Sequence, residues 1–138
     1  MNENTVQNPN PYDKSYDIAI DSRFFFDVKG TIIPRSLRGN IEEVIKHPEG
    51  MVKFFYEQQS TGRRYAIQNR LFIVHHSFVE EQREFYLRCA WGTKEKAYRQ
   101  FVENVDKVQF VSYGNVIAGV IFLLEREKNH VEIVIPGL

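Results

Sequence analysis

The segment YDIAIDSRFFFDVK, at positions 16–29, decides the fold that we expect for this chain. Its two apolar runs, residues 16–20 and 23–29, are separated by the polar pair Asp21-Ser22. The β-branched and aromatic side chains favour strands, and the short polar connection favours a turn between them. The sequence therefore predicts a β-hairpin, around which the remaining elements are expected to assemble.

An acid and a base stand close together in the second strand of this hairpin. Asp27 and Lys29 are two residues apart, so both side chains project from the same face of the strand. Both lie among apolar residues, where a charge is costly to desolvate unless it pairs or binds something. The hairpin brings Asp17 near Asp27, and two converging carboxylates favour a hard divalent cation with oxygen ligands. The register decides whether they meet: a two-residue turn pairs Asp17 with Phe26, whereas a three-residue turn or a bulge brings the carboxylates together.

Asp17, nine intervening residues and then Asp27-Val28-Lys29 resemble the motif of the PD-(D/E)XK nuclease superfamily, which includes many restriction endonucleases. The resemblance covers residues 16–90, where the helical segment, hydrophobic strand and helix after the hairpin follow the order of the superfamily core. It implies that Asp17, Asp27 and the Val28 carbonyl bind Mg²⁺ or Mn²⁺ and that Lys29 is the catalytic lysine. It further implies a restriction-endonuclease-like core, hydrolysis of DNA phosphodiester bonds and, for cutting both strands, a homodimer.

Helical and extended segments alternate after the hairpin. The expected elements are a helix at 41–47 capped by Asn40, a helix from Pro48 to about Ser60, a buried strand at 71–74, a helix at 77–90 with a Ser77 capping box, a helix from Thr93, and strands at 108–113, 116–124 and 131–135. Gly119 suggests a bulge inside the penultimate strand. This order predicts an α+β fold in which a mixed central β-sheet is flanked by helices.

The length of 138 residues suits one domain with a core of its own. Residues 1–15 are polar and rich in Asn and Pro, and we expect a flexible N-terminal tail there, followed by a single nuclease-like domain at 16–138. No apolar run approaches the roughly 18 residues that span a bilayer, and the N-terminus lacks the pattern of a signal peptide. A single cysteine, Cys89, cannot form a disulfide within the chain, so a reducing compartment and a cytoplasmic location are expected.

The charges balance over the whole chain, with 18 basic and 18 acidic side chains, which argues mildly against a protein that coats nucleic acid nonspecifically. Residues 35–70 differ, because seven Lys or Arg stand against four Glu and leave a net charge of +3. The candidates for contacts with a phosphate backbone are Arg35, Arg38, Arg63 and Arg64. The alternative for this segment is an ordinary solvated surface.

Two other groups of residues carry weaker signals. His75 and His76 follow the buried strand, and we expect a solvent-exposed strand end there, because adjacent side chains point to opposite faces and cannot readily share a metal. Cys89 lies near Phe85 and Tyr86, and we expect it to be buried by packing on an apolar helix face.

An alternative function keeps the fold without the chemistry. The chain has Tyr16 where the nuclease motif prefers proline, no helix is predicted before the hairpin, and the net charge is zero. These features favour a non-catalytic module that binds nucleic acid or protein. A generic interaction domain whose hairpin resembles the motif by accident is the third interpretation, and it predicts Asp17 and Asp27 on opposite faces of the sheet.

Overall fold

A computed structural model describes residues 5–7, 18–20, 24–59 and 69–138 of the chain. The strands are β1 (Thr5–Gln7), β2 (Ile18–Ile20), β3 (Phe24–Ile32), β4 (Arg70–Ser77), β5 (Val111–Tyr113), β6 (Val116–Glu127) and β7 (His130–Val134). The α-helices are α1 (Ile41–Lys46), α2 (Glu49–Gln59), α3 (Glu84–Arg88) and α4 (Trp91–Glu103), and short 3₁₀ helices precede α1 (Arg35–Asn40) and α3 (Glu81–Arg83). None of the described helices is long and apolar enough to cross a membrane.

The strands form one mixed sheet in the order β1-β2-β3-β4-β6, and the far edge of β6 is shared by β5 and β7. β1, β2 and β3 are antiparallel, whereas β3, β4 and β6 run parallel. β5 and β7 are both antiparallel to β6. The predicted α+β fold with a mixed central sheet flanked by helices is therefore confirmed.

Both faces of the central strands are buried. On one face, called here the α4 face, Leu71 of β4 and Ile121 of β6 pack against Phe101 of α4. On the other, the α2 face, Phe72 of β4 and Val120 of β6 belong to the core that includes α2. This double burial explains why the middle of β4 is a continuous apolar run, as the sequence predicted.

The helix ends follow the chemistry of their capping residues. The Asn40 side chain accepts a hydrogen bond of 3.2 Å from the Glu43 N–H and caps α1, as predicted. The Pro48 carbonyl accepts from the Val52 N–H at 3.0 Å, which places Pro48 at the start of α2. Beyond Ser77 the expected capping box fails, because the Ser77 hydroxyl accepts from the Val79 and Glu80 N–H groups while α3 begins only at Glu84.

Three further expectations from the sequence differ from the structure. Thr5–Gln7, inside the segment expected to be a flexible tail, form a strand paired with β2, so that expectation does not hold at these residues. Strand β5 is confined to Val111–Tyr113. Gly119 is not in a bulge but pairs regularly with Leu71, and a Cβ there would lie 2.9 Å from the Phe101 ring. The glycine is needed because α4 packs closely on the sheet.

Candidate active site

The register of the hairpin is set by three residue pairs. Ile18 lies opposite Phe26, Ala19 opposite Phe25 and Ile20 opposite Phe24. The connection between the strands therefore comprises residues 21–23 and is longer than the expected pair Asp21-Ser22. Since Phe26 is paired with Ile18, the two-residue turn that would have set it opposite Asp17 is excluded. Asp17 itself lies outside the described residues.

Asp27 occupies the α2 face near the middle of β3. Its N–H donates to the Asn69 carbonyl at 2.9 Å, and its Cα is paired with that of Arg70 on the parallel strand β4. The carboxylate is 25% exposed, and its Oδ2 lies 3.5 Å from Nε of Arg70. An acidic group that is about three-quarters covered by protein and still reaches solvent is suited to bind a ligand.

Arg70 is the residue of this site that the sequence did not single out. Its guanidinium lies 5.7 Å from the centre of the Tyr56 ring, and its Nε and Nη1 are buried without a hydrogen-bond partner. Burial raises the pKa of Tyr56 to about 12, so the phenol stays protonated beside the cation. A buried donor without a partner costs about 1–3 kcal/mol, and an incoming anion could satisfy it. The only signal in the sequence is an arginine at the head of an otherwise apolar strand.

Lys29 and Val28 are arranged as alternation along the strand requires. Lys29 is exposed and lies two residues from Asp27, opposite Phe72 of β4 on the α2 face. Val28 packs against the core of the α4 face. The Asp27 N–H points toward β4, so the Val28 carbonyl is directed to the opposite edge, the one that β2 adjoins.

The donors present fit a hard divalent cation in kind, since a carboxylate oxygen and a main-chain carbonyl are typical Mg²⁺ ligands. They do not form a complete site, because the described residues contain no group of three His, Cys, Asp or Glu side chains that could hold a metal. The nearby Arg70 also opposes a second positive charge. A metal site at Asp27 therefore depends on a further ligand from residues outside the described ranges, a role that the nuclease resemblance implies for Asp17.

The arginines proposed to contact phosphate differ in their surroundings. Arg35 is 85% exposed and forms an ion pair of 3.2 Å with Glu81. Arg38 is largely covered, donating to the Ile33 carbonyl at 2.8 Å and pairing with Glu84 at 3.1 Å. Arg38 thus joins the protein interior, and Arg35 is the better placed of the two for a ligand. Arg63 and Arg64 lie outside the described residues.

The end of β4 holds a buried network that the sequence did not predict. His75 and His76 are 0% and 7% exposed, so the expectation of a solvent-exposed strand end is wrong. The Nδ1 atom of His76 lies 3.1 Å from a Glu84 carboxylate oxygen, and Nδ1 of His75 lies 2.9 Å from the Thr31 carbonyl. Burial lowers the pKa of both imidazoles, to about 4 for His75. Residues of α3 and β3 cover the end of β4 and bury both histidines. This burial cannot be predicted from the residues next to His75 and His76 in the sequence.

A second network joins the strand end to the following segment. The Arg83 guanidinium makes two contacts with Glu125, at 2.6 and 2.8 Å, and the Ser77 hydroxyl donates to the same carboxylate at 2.8 Å. The Arg83 hydrogen bond is the main cause that lowers the pKa of Glu125 to about 2. Because every group has a partner, this network holds the 3₁₀ segment on β6 and is not available for catalysis.

The solvent exposure of Cys89 also differs from what the sequence predicted. Cys89 is exposed and free, and the neighbouring Phe85 and Tyr86 are 70% and 65% exposed. The expected burial of Cys89 by an apolar helix face is therefore wrong. Only Glu84 and Leu87 of α3 are buried. The two aromatic side chains of α3, Phe85 and Tyr86, project into solvent.

Comparisons of the chain with protein-family models, with curated proteins and with solved structures found no match. The arguments about function therefore rest on the residues and geometry of this chain.

Proposed function

We propose that this protein is a metal-dependent nuclease that hydrolyses DNA phosphodiester bonds at Asp27 and Lys29. The observation that carries the proposal is the register of β2 and β3, in which Ile18 lies opposite Phe26. Continued by one pair, this ladder would set position 17 opposite Asp27, the arrangement in which two carboxylates can share one cation. The order of hairpin, helices, parallel strand and helices also agrees with the nuclease resemblance of residues 16–90.

Each residue has a distinct role in this proposal. Asp27, Asp17 and the Val28 carbonyl hold the cation, and a bound Mg²⁺ or Mn²⁺ supplies Lewis acidity and a more acidic water. Lys29, exposed beside Asp27, stabilises the negative charge that develops on the phosphate. Arg70 offers buried donors for a phosphate oxygen once the substrate draws it from Asp27.

The wider assignment includes a partner and a location. Arg35, exposed at the carboxyl end of β3, is available for the DNA backbone. Cutting both strands requires two active sites, so the proposal includes a homodimer. Cys89 is free and exposed, which suits the reducing conditions of the cytoplasm.

A non-catalytic binding module is the second candidate, and one observation favours it. The Arg70 guanidinium lies 3.5 Å from the Asp27 carboxylate, so the negative charge that would attract a metal ion is already balanced by a cation of the protein. A module of this kind requires no divalent ion, whereas the nuclease does. Binding of Mn²⁺, measured by electron paramagnetic resonance with wild type and Asp27→Asn, separates the two functions.

The direct test is cleavage of supercoiled plasmid and of single-stranded DNA with Mg²⁺ or Mn²⁺. Asp27→Asn removes the charge at nearly constant shape, and Asp106→Asn is the control at an exposed site beyond α4. Lys29→Met is paired in the same way with Lys53→Met on the surface of α2. Asp17→Asn tests the ligand that the register suggests.

Loss of cleavage in the Asp27, Lys29 and Asp17 variants and in EDTA, with both controls active, supports the nuclease. Equal cutting by wild type and every variant would show that a contaminating nuclease is responsible, and the assignment of a nuclease site to Asp27 and Lys29 would be withdrawn. No cutting by any protein, with no Mn²⁺ bound, replaces the nuclease with the binding module.

A further inference from the structure

A groove lies between β3 and α4, on the α4 face of the sheet. Its volume is about 410 Å³, within the range of small-ligand sites. Val28 and Ile73 of the sheet form an apolar floor, and Trp91, Lys94 and Tyr98 of α4 form the wall. Asp27 and Lys29 lie on the other face of β3, so the groove is separate from the candidate active site.

Exposed aromatic side chains are clustered in α3 and at the start of α4, where Trp91 lines this groove. Trp91 is 73% exposed, and Phe85 and Tyr86, a few residues earlier, are 70% and 65% exposed. The rings of Phe85 and Tyr86 lie edge to face at 6.4 Å. Three large aromatic residues open to solvent within residues 85–91 indicate a binding surface, because isolated exposure is common but clustered exposure is not.

The cations beside the aromatic residues have no acidic ion-pair partner among the residues that the structure describes. The ammonium of Lys94 lies 4.9 Å from the centre of the Trp91 ring, and Arg88 donates to the neutral carbonyl of Gly30 at 3.3 Å. Glu95, which also lines the groove, pairs with Arg99 at 3.1 Å. No ion pair among the described residues involves Lys94 or Arg88, so the groove keeps a positive charge.

The two cations face the same strand end. The positive charges of Lys94 and Arg88 both add to the effect of burial in lowering the pKa of His75. Burial lowers the pKa of Lys94, and Arg88 lowers it further, as expected for two like charges at close range. His75 has a buried Nε2 without a partner and lies against Gly30, whose added Cβ would be 3.5 Å from the ring. An anion between Lys94 and Arg88 would relieve their repulsion.

We propose that this groove binds single-stranded nucleic acid, with one base stacked on Trp91 and an adjoining phosphate held by Arg88 and Lys94. Aromatic side chains that stack on bases, combined with cations along the backbone, are how proteins bind single strands without reading sequence. The exposed indole and two cations without an ion pair among the described residues match both parts of such a ligand. An apolar protein partner would leave the cations unpaired, and a duplex would not expose its bases.

This inference goes beyond the proposed nuclease and does not require cleavage at Asp27. If both hold, the substrate contains a single-stranded region that passes the edge of β3. Binding is therefore measured in EDTA, where metal-dependent cleavage cannot occur. Asp27→Asn should bind as wild type does, which separates the two proposals.

The chain offers an internal reporter, because Trp91 is its only tryptophan. We expect an oligothymidylate of about 15 nucleotides to quench Trp91 fluorescence and to raise the anisotropy of its own fluorescein label, with half-saturation below about 100 µM at low salt. A duplex of the same length should quench the indole far less, since its bases are already stacked.

Four substitutions locate the contact. Trp91→Ala should weaken binding by about 5- to 100-fold, the effect of losing one stacked base, whereas Trp91→Phe should retain most of the affinity. Lys94→Gln should weaken binding and reduce the slope of log affinity against log salt by about 0.7, the value for one lost phosphate contact on a single strand. Lys53→Gln removes an equal charge from α2 and should leave binding unchanged.

Several results would overturn the proposal. One is the absence of both quenching and anisotropy change up to about 100 µM oligonucleotide. A second is an equal loss of affinity in Lys53→Gln and Lys94→Gln, which would indicate nonspecific electrostatic attraction. Another is binding that Trp91→Ala leaves intact. Sedimentation that shows a dimer for wild type and a monomer for Trp91→Ala would assign the surface to a second copy of the chain.

Discussion

Arg83→Met should destabilise the protein strongly at neutral pH, although Arg83 lies far along the chain from its partner Glu125. The Glu125 side chain is 3% exposed and accepts two bonds from Arg83, at 2.6 and 2.8 Å. The Ser77 hydroxyl and the Asn129 N–H, at 2.8 and 3.0 Å, are its other donors. Removing Arg83 leaves a buried carboxylate with these two neutral donors alone.

The magnitude follows from the pKa of Glu125. Its pKa falls from 4.5 to about 2 on folding, chiefly through the Arg83 hydrogen bond. At about 1.4 kcal/mol per pKa unit this shift corresponds to roughly 3 kcal/mol, at the lower end of the 3–5 kcal/mol typical for breaking a buried ion pair. Such a loss is a large part of a domain stability of about 5–15 kcal/mol.

The dependence on pH has a definite sign. Because the folded pKa of Glu125 lies below the unfolded value, its contribution is present above about pH 4.5 and is lost as the pH falls toward 2. The substitution raises the folded pKa, so wild type and Arg83→Met should differ most at pH 7 and far less at pH 3. Urea unfolding followed by circular dichroism at both values measures this difference.

Arg99→Met is the control, since Arg99 and Glu95 form an exposed pair at 3.1 Å on α4 whose loss should cost less than about 1 kcal/mol. A double-mutant cycle of Arg83→Met with Glu125→Gln isolates the coupling between the two side chains. The reasoning is refuted if Arg83→Met costs less than about 1 kcal/mol at pH 7, or if its cost is the same at pH 3.

Three further predictions concern the core, the buried histidine and the candidate metal site. Gly119→Ala should cost about 1–3 kcal/mol in a thermal melt, because the new Cβ would lie 2.9 Å from the Phe101 ring, and an unchanged melting temperature would contradict this close packing. Burial lowers the pKa of His75 from 6.5 to about 4, so stability is full above pH 6.5 and falls as the pH drops toward 4. In His75→Leu the unfolding free energy should therefore change by roughly 3 kcal/mol less between pH 6.5 and pH 4, and an equally steep pH dependence in the variant would contradict the assignment. Arg70→Gln should strengthen Mn²⁺ binding at Asp27 by about fivefold, since it removes a positive charge 3.5 Å away, and unchanged affinity would place the metal elsewhere.

The local pattern of the chain was sufficient for most elements. Asn40 caps α1 and the Pro48 carbonyl accepts the first bond of α2, because these preferences depend on the residue itself and its near neighbours. The apolar run in β4 and the hairpin arise in the same way, from side-chain periodicity and β propensity. Asp27 and Lys29 share a face because alternation along a strand leaves no other arrangement.

Burial at the strand end could not be inferred locally. His75 and His76 were expected in solvent and are buried, whereas Cys89 was expected to be buried on an apolar helix face and is exposed. The difference depends on where the short helix α3 settles on the sheet, which pairs such as His76 with Glu84 decide. These contacts join different elements, and no periodicity within either element encodes them.

The sequence by itself determined most of the elements, the mixed α+β class and the shared face of Asp27 and Lys29, all of which follow from short-range sterics and hydrophobic patterning. Tertiary structure alone decided the three-residue connection in the hairpin, the approach of Arg70 to Asp27 and the groove beside Trp91. The physical reason is that strand register and helix docking minimise the free energy of the whole core. A site assembled from β3, β4 and α4 therefore becomes visible only once these elements have packed together.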